Sequence, residues 1–202
     1  MENTTDKHQE RYLAHQKRKA DMFTSPYGTK DFRVYDDYER EIFETILKNR
    51  SSQRAFNREP VDVEKIIELA DYRPSSCDRR SVEIKVIESR DDKDLLGGLL
   101  VGGTGWIHRS DKILLFIAWK DAYKSPAEKE FMSYIDAGVL AQTIYLICES
   151  LNVGSCYVNP NVREQNKEFF YDRFIPEGYQ YVGCMAIGYY DLKHTKNGLP
   201  SI

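Results

Sequence analysis

The sequence has little that would place the protein in a membrane, on a nucleic acid or in a secretory route. No stretch approaches the roughly 18 consecutive apolar residues of a membrane helix, and residues 1–21 have no apolar block typical of a signal sequence. The net charge of −3 and the pI of about 5.9 give no excess of cations that would attract a nucleic acid or an anionic membrane. We therefore expect a cytoplasmic protein with neither of these partners.

The sequence also lacks paired cysteines and the glycine motif that is typical of dinucleotide-binding sites. The four cysteines form no Cys-x-x-Cys pair and lie mostly in apolar runs, which predicts reduced core thiols instead of disulfides or a metal site. Residues 102–111, GGTGWIHRSD, contain three glycines. They do not have the Gly-x-Gly-x-x-Gly spacing after a strand, which argues against a dinucleotide-binding fingerprint.

The chain of 202 residues is long enough for one domain with a substantial core. Residues 1–30 are polar and lack a sustained apolar stripe. They are predicted to form an arm, partly helical, that could pack on a partner subunit. Residues 31–202 are predicted to form the domain.

Helical spacing of apolar residues recurs several times in the domain. We expect Asp36 or Asp37 and Asp62 to be N-caps, Gly154 to be a C′ glycine, and Pro160 to open a helix. The fourth helix is apolar nearly all round, which predicts a buried central helix. The predicted helices cover residues 36–50, 62–73, 90–100, 128–153 and 160–170.

Strand patterns lie between these helices without a regular alternation. Residues 82, 84 and 86 alternate with polar residues, whereas residues 112–119 are a continuous apolar run that predicts a central strand covered on both faces. The irregular order predicts an α+β fold with a mixed, largely antiparallel sheet flanked by helices. The predicted strands cover residues 81–89, 112–119, 155–159 and 179–191.

The segment NRSSQRAF, residues 49–56, gathers cations and hydroxyls where the first helix ends. Arg50 and Arg54 carry planar guanidinium groups suited to phosphate, and Ser51 and Ser52 add hydroxyl donors. One interpretation is therefore an anion site, most simply for a phosphate. The other is a solvated loop, since arginine and serine are common in loops.

A second segment of this kind, YRPSSCDRRS at residues 72–81, follows the next helix. If it is an ordinary turn, Asp78 pairs locally with Arg79 or Arg80, a surface contact worth under about 1 kcal/mol. Two such segments on either side of one helix could instead converge on one polar ligand.

Four motifs in order resemble the FMN-dependent nitroreductase family. RSSQRAF is similar to the family's Arg-Arg/His-Ser-x-Arg/Lys-x-Phe, and PSSCDRR to its Pro-Ser-x-x-Asn-x-Gln. YIDAGVLAQTIYLICESLNVGSCYV resembles the central helix and the strand after it, and VGCMAIGYYD resembles the closing strand. The matches run across residues 38–191.

The resemblance implies an intertwined homodimer of α+β fold with two FMN sites at the subunit interface. The first motif would hold the FMN phosphate and ribityl chain or ring edge, the second would reach the flavin of the other subunit, and the strand after the central helix would line the ring. A C-terminal lysine would contact the phosphate. The implied FMN-binding residues are Arg50, Ser51, Ser52, Arg54, Pro74, Ser75, Ser76, Asp78, Arg80, Tyr157, Val158, Asn159 and Lys196.

The chain departs from the family pattern at four positions. Asp78 and Arg80 replace the usual asparagine and glutamine, and an anionic Asp78 near a reduced flavin requires neutralisation, for example by Arg80. Gly198 replaces a phosphate-binding arginine. Pro160 lies where many members donate a backbone N–H to flavin N5, and proline has no N–H.

The activity implied is hydride transfer from NAD(P)H to the flavin and then to a small organic acceptor in a ping-pong scheme, with no catalytic side chain. Alternatives are a specialised biosynthetic flavin dehydrogenase or oxidase, and a flavin-binding protein without turnover. Trp106 is interpreted as an anchor of a core edge, or as a cover for the substrate face of a flavin. Asp136 is predicted to be a hydrogen-bonded buried carboxylate or an interface ion partner, and Cys156 a packing residue.

Overall fold

The computed structural model describes residues 34–57 and 59–192, together with Glu10, Leu13, Ala14 and Lys17. Residues 42–202 form one compact unit and residues 1–41 another. The division predicted at residue 30 stays a prediction. The α+β class is confirmed, with four strands and five helices in residues 34–192 as described. In chain order these are α1 (Asp37–Asn49), α2 (Val63–Ala70), β1 (Val82–Ile87), α3 (Arg90–Leu99), β2 (Lys112–Trp119), α4 (Pro126–Ser150), β3 (Gly154–Val158), α5 (Lys167–Phe174) and β4 (Tyr179–Gly188).

The four strands form one open sheet in the order β1-β2-β4-β3. All three pairings between these strands are antiparallel. The parallel component of the predicted mixed sheet is an isolated bridge between Ser52 and Ser155, outside the named strands. The two chain segments that carry the arginine–serine motifs therefore lie towards opposite edges, since one leads into β1 and the other lies beside β3.

Strand β2 is buried on both faces, as predicted. Residues 113–118 are at most 5% exposed. Leu114 and Phe116 contribute to a core cluster with residues of α2 and α4, whereas Ile113 and Leu115 contribute to a second cluster with α3 and α5. Each fully buried leucine or phenylalanine stabilises the fold by about 1.5–3 kcal/mol. The hydrophobic core on each face of β2 therefore holds the helices that pack on that face of the sheet.

Short polar side chains cap the first three helices. The Asp36 carboxylate accepts from the Glu39 N–H at 2.8 Å, and Glu39 accepts in return from the Asp36 N–H at 3.1 Å. This reciprocal pair is a capping box. Asp62 caps α2 as predicted. Ser89 is the N-cap of α3 and accepts from the N–H of Asp92 in the first turn.

Helix α4 ends three residues earlier than predicted. Asn152, with φ of 56°, takes the left-handed C′ position, and asparagine tolerates this conformation better than most residues. The Val153 N–H donates to Cys148 O at 2.8 Å and the Asn152 N–H to Glu149 O at 3.2 Å, which is the Schellman pattern. The prediction of Gly154 as C′ glycine is therefore wrong. Gly154 begins β3, where a Cβ would lie 2.9 Å from a backbone oxygen of β4.

Pro160 does not begin a helix, which corrects another prediction. Val101 donates its N–H to Asn161 O at 3.0 Å, and Leu100 forms a bridge with Val162. These contacts hold the chain extended after Pro160, and α5 begins only at Lys167.

Helix α4 is buried on one side only within the single chain. The side facing the sheet includes Ala137, Leu140 and Ile144, all fully buried, whereas Tyr134 and Ile135 are about half exposed. Among the described residues it is the one helix long and apolar enough to cross a membrane, with a mean hydropathy of 1.4 over 18 residues. Core helices of globular proteins meet the same criterion, and the packing of α4 against α2 and the sheet is that of a core helix.

Helix α1 also exposes its apolar residues. It contains no buried residue, and Ile42, Phe43 and Leu47 are 42–53% exposed. The predicted apolar stripe is present, but the part of the chain that the structure describes does not bury it.

Gly183 sits at an irregularity in the pairing of β2 with β4. The register shifts between Phe116 and Ile117, and Gly183 has φ of 129°. A Cβ at this position would overlap the Tyr157 hydroxyl and lie 2.7 Å from its ring carbon Cζ. Both the backbone conformation and the packed phenol ring therefore require glycine.

We expect Gly183→Ala to lower the free energy of unfolding by about 2–4 kcal/mol, because it combines backbone strain with a clash. Urea denaturation monitored by circular dichroism measures this change. Gly98→Ala is the matched control: nothing lies within 4 Å of its added Cβ, and a helical alanine should stabilise α3 by up to about 1 kcal/mol. Equal effects of the two substitutions would contradict the packing around Gly183.

Candidate functional site

The first arginine–serine segment is docked on the outer edge of β3. The Gln53 N–H donates to Ser155 O at 2.9 Å, and the Asn57 N–H donates to Tyr189 O at 2.8 Å. Strand β3 is the last strand of the sheet, so its outer backbone groups are available to such a segment. These two bonds attach the segment to the sheet at residues 53 and 57, while Arg54 and Ala55 between them are exposed.

Tyr145 of α4 joins this segment to β3, and sequence analysis did not identify it. Its hydroxyl accepts from the Tyr157 N–H at 2.7 Å and lies 3.1 Å from Ser52 Oγ. The Arg50 guanidinium lies over the Tyr145 ring, 4.7 Å from its centroid, within cation–π range. If Tyr145 donates its proton to Ser52, the Ser52 proton remains available for a ligand. The only sequence signal was a tyrosine within an otherwise apolar helical run.

Within the described part of the chain, the two arginines of this segment lack acidic partners. Among the described residues, neither Arg50 nor Arg54 forms an ion pair with a carboxylate, and the Arg54 guanidinium lies 5.7 Å from the Trp106 ring centroid. The Ser51 hydroxyl is buried and accepts from Gln53 Nε2 at 2.7 Å. The segment thus offers two cations and the Ser52 hydroxyl, a donor set that suits a phosphate.

Trp106 packs at the edge of the core beside this segment. Its Nε1 donates to Gly102 O at 3.0 Å, and its ring centroid lies 6.5 Å from that of Phe56. Both rings contact the second core cluster, in agreement with the predicted anchoring role. Cys156 is 1% exposed. Its pKa is raised chiefly by burial and opposed by the positive charge of Arg54, which fits the predicted packing residue.

The side chains of Tyr157 and Val158 point into the protein. The Tyr157 ring lies 6.2 Å from that of Phe116 and its hydroxyl donates to Val182 O at 3.1 Å, while Val158 is 2% exposed. Any contact of these two residues with a ligand would therefore involve the backbone.

Asn159 is exposed and turns the chain after β3. Its Oδ1 accepts from the Asn161 N–H at 3.1 Å, across Pro160. Ser155 and Tyr157 direct backbone groups to the outer edge of β3. Since strand residues alternate, Asn159 is next in this series. Its N–H has no partner among the described residues.

The second arginine–serine segment has an unusual backbone and a buried anchor. Cys77, Asp78 and Arg80 all have φ between 51° and 53°, a conformation that costs a non-glycine residue about 1 kcal/mol or more. Ser76 donates to Asp136 Oδ1 twice, from its N–H at 2.9 Å and from its hydroxyl at 2.8 Å. Ser75 Oγ accepts from the Arg80 N–H at 3.0 Å, whereas Pro74 is exposed.

Asp136 is 4% exposed and forms a hydrogen-bonded network. This agrees with the first of its two predicted roles, a hydrogen-bonded buried carboxylate. The Tyr123 hydroxyl donates to its Oδ2 at 2.7 Å and also contacts Ser81 Oγ. Burial raises the pKa of Tyr123 to about 12, the bond to Ser81 opposes this rise, and Asp136 adds to it.

Asp78 and Arg80 pair locally on the surface. Arg80 Nε lies 3.3 Å from Asp78 Oδ1, and Arg80 Nη1 donates to Asp71 O at 2.9 Å. Both side chains are exposed, so the pair contributes under about 1 kcal/mol to stability. The contact still places the Arg80 cation beside the Asp78 carboxylate, and the family pattern has no carboxylate at this position.

The two segments do not converge within one chain, which corrects that hypothesis. They contact α4 at Tyr145 and Asp136, nine residues apart, which corresponds to about 14 Å along a helix. They also lie towards opposite edges of the sheet. Lys196 and Gly198 lie outside the described residues.

A cavity of about 580 Å³ opens near Phe56, away from Ser52 and Tyr145. Cations and carboxylates both line it. Lys93 Nζ donates to the carbonyl oxygens of Ser110 and Asp111 at 2.9 and 2.7 Å, and burial lowers the pKa of this lysine. The predicted site residues lie elsewhere, so we base the site on Arg50, Ser52 and Arg54.

Comparison with known protein families identifies one family that this chain resembles. Residues 102–189 match the model of the nitroreductase family, a range that starts after both arginine–serine segments. No curated protein matches the chain significantly in sequence.

Solved structures share the fold. A candidate NADH dehydrogenase/NAD(P)H nitroreductase from Parabacteroides distasonis superposes with a TM-score of 0.66 at 19% identity, covering 80% of this chain and 92% of that one. An FMN-dependent nitroreductase from Clostridium difficile gives a TM-score of 0.63 at 24% identity, with 77% and 94% covered. At these identities the likeness establishes the fold alone.

We expect Tyr145→Phe to lower the free energy of unfolding by about 1–2 kcal/mol, because the Tyr157 N–H loses its acceptor. The phenyl ring keeps the stacking surface for Arg50. Chemical denaturation measures the change. The control is Tyr72→Phe, whose hydroxyl is exposed and has no partner among the described residues. A neutral Tyr145→Phe would contradict the bridging role of the hydroxyl.

We expect stability to fall as the pH rises from about 10 to 12. The native Tyr123 phenol keeps its proton to about pH 12, while the ordinary phenol loses it near 10. The unfolded state therefore binds fewer protons in this interval, and its relative free energy drops. Denaturation midpoints measured across this range should decline less steeply for Tyr123→Phe. Parallel curves would show that Tyr123 does not contribute.

Proposed function

We propose that this chain, whose predicted resemblance to the nitroreductase family the comparisons confirm, is an FMN-dependent oxidoreductase. It would use NAD(P)H to reduce a small organic acceptor such as a nitroaromatic compound or a quinone. The observation that carries the proposal is the pair of arginines on either side of Ser52, without carboxylate partners among the described residues, on a segment docked beside β3.

Arg50, Ser52 and Arg54 would hold the FMN phosphate and the ribityl chain or ring edge. Arg50 is held over Tyr145 and Ser52 is positioned by the hydroxyl of the same residue. Ser51 would contribute through its backbone, because its side chain is buried. We place Lys196 at the phosphate as well, by the resemblance.

The outer edge of β3 would line the flavin ring. Tyr157 would contribute its backbone carbonyl, because its side chain points into the protein and its N–H donates to Tyr145. Val158 pairs with β4 and would contribute only the van der Waals surface of its main chain. Pro160 has no N–H to donate. The Asn159 N–H, next in the outer series of β3, is the donor that we assign in its place.

Bound FMN supplies the redox chemistry, accepting hydride from the nicotinamide and passing reducing equivalents to the acceptor. The protein would position the two substrates in turn in one pocket and exclude water. No side chain of this chain is assigned a proton-transfer step. Because the two substrates would occupy that pocket in turn, the proposed scheme is ping-pong.

A homodimer would complete the site. The two arginine–serine segments contact α4 about 14 Å apart in one chain. Residues 74–80 of the second one, which we call the 74–80 segment, are therefore free to contact a second subunit. The exposed apolar residues of α1 and α4 suit a subunit interface. In the dimer we propose that Pro74, Ser75, Ser76, Asp78 and Arg80 approach the flavin of the other subunit, with Arg80 neutralising Asp78. We place the dimer in the cytoplasm.

A specialised biosynthetic flavin dehydrogenase or oxidase is the second candidate. Two observations favour it over a broad reductase: Pro160 lacks the backbone N–H, and Asp78 places a carboxylate in the segment assigned to the flavin. A flavin-binding protein without turnover would share the phosphate site but not the reduction by NAD(P)H.

We expect the purified protein to bind FMN, and Arg50→Ala to weaken that binding by about tenfold or more, since a charged hydrogen bond is worth about 1.5–3 kcal/mol. Quenching of flavin fluorescence on titration measures the affinity. Arg109→Ala is the control, because Arg109 is exposed and lies outside both arginine–serine segments. Failure of the unaltered protein to take up FMN would refute the proposal.

Anaerobic addition of NADH and NADPH then separates the candidates. Bleaching of the flavin absorbance, followed by recovery with a quinone or a nitroaromatic compound, supports the reductase. A flavoprotein that neither nucleotide bleaches would instead favour a specialised reductant or a protein without turnover.

A further inference from the structure

The Asp136 carboxylate is the one buried acidic group that α4 directs at the 74–80 segment. It is 4% exposed and accepts three hydrogen bonds, two from Ser76 and one from the Tyr123 hydroxyl. Tyr123 is itself 1% exposed and contacts Ser81, the residue just before β1. The carboxylate therefore ties both ends of the segment to the central helix.

The segment between these ties has a conformation that its own residues do not favour. Cys77, Asp78 and Arg80 have left-handed φ values, and such a run persists only where the surroundings determine it. Ser76 immediately precedes the first of them. Its backbone and side-chain bonds to a buried charge are stronger than bonds between neutral groups. Asp136 is thus placed to hold the run in one conformation.

We infer that Asp136 is a positioning residue for the FMN site of the other subunit. The inference rests on the proposed function. Arg50 and Ser52 would bind the cofactor in one subunit, and Asp136 of the partner would hold the 74–80 segment that meets the same flavin. Asp136 would not touch the cofactor itself, because Ser76 and Tyr123 occupy its carboxylate oxygens.

Three variants separate this role from general stability. Asp136→Ala removes all three acceptor contacts, whereas Asp136→Asn keeps an acceptor for Ser76 in the same shape and removes the charge. Ser133→Ala is the matched control. Ser133 is a buried polar residue one turn earlier on α4, and its hydroxyl accepts from Gln180, not from the segment.

The first readout requires no flavin. Trypsin should cut after Arg79 or Arg80 about tenfold faster in Asp136→Ala than in Ser133→Ala, because the released segment samples open conformations. In FMN titrations, Asp136→Ala should bind about tenfold more weakly than the unaltered protein, Asp136→Asn should lie between them, and Ser133→Ala should change by less than about twofold. If Asp136→Ala fails to fold, Asp136→Asn carries the same comparisons.

A mixed dimer tests the action across subunits. A heterodimer of Arg50→Ala and Asp136→Ala chains, isolated with two affinity tags, contains one site with both defects and one with neither. We expect one tight FMN site per heterodimer and none in either parent homodimer. If Asp136 served the site of its own chain, both sites would be defective and no tight binding would return.

The outcomes distinguish the two proposals. If the unaltered protein binds FMN but the Asp136 variants match Ser133→Ala in cleavage and affinity, the inference is overturned and the proposed function stands. A heterodimer without a tight site also overturns it. If the unaltered protein does not bind FMN, the proposed function fails, and this inference fails with it.

Discussion

Two hydrogen-bonded contacts from one helix fix the positions of both candidate binding segments. Tyr145 holds Ser52 and the backbone of β3, while Asp136 holds Ser76. Both contacts are partly buried, and burial strengthens such bonds and makes an unpaired group more costly. Because α4 is a continuous helix packed against the sheet, the nine-residue spacing of these two anchors sets the distance between the segments. The relative positions of the two candidate binding segments therefore depend on that spacing.

This spacing makes one chain an incomplete unit for the proposed chemistry. Residues that would bind a phosphate lie near one edge of the sheet, and the strained 74–80 segment lies near the other. The same helix exposes Phe131, Tyr134 and Ile135. In the proposed dimer, a second copy would cover these side chains and bring its 74–80 segment to the first chain. In the proposed dimer, burial of apolar surface and completion of the cofactor site are therefore one event.

Sequence reasoning succeeded where a local pattern determines the structure. It failed where contacts with other parts of the chain determine it. Strand β2 was identified as buried on both faces because an apolar run of that length fits few other environments. Gly154 was misassigned because Asn152 ends the helix instead, and the glycine is needed where β4 approaches. Pro160 was misassigned because Val101 and Asn161 hold the chain extended. Each error involved a contact outside the local sequence window.

The sequence by itself determined the α+β class, most helix and strand positions, an N-cap at Asp36 or Asp37, the N-cap at Asp62, and the two segments rich in arginine and serine. These follow from short-range periodicity and capping chemistry. Only the tertiary structure decided that Tyr145 and Asp136 hold those segments, and that the segments lie apart. The residues in these contacts are separated by 93 and 60 positions in the chain. Strand order and helix packing bring them together, and no local pattern encodes either.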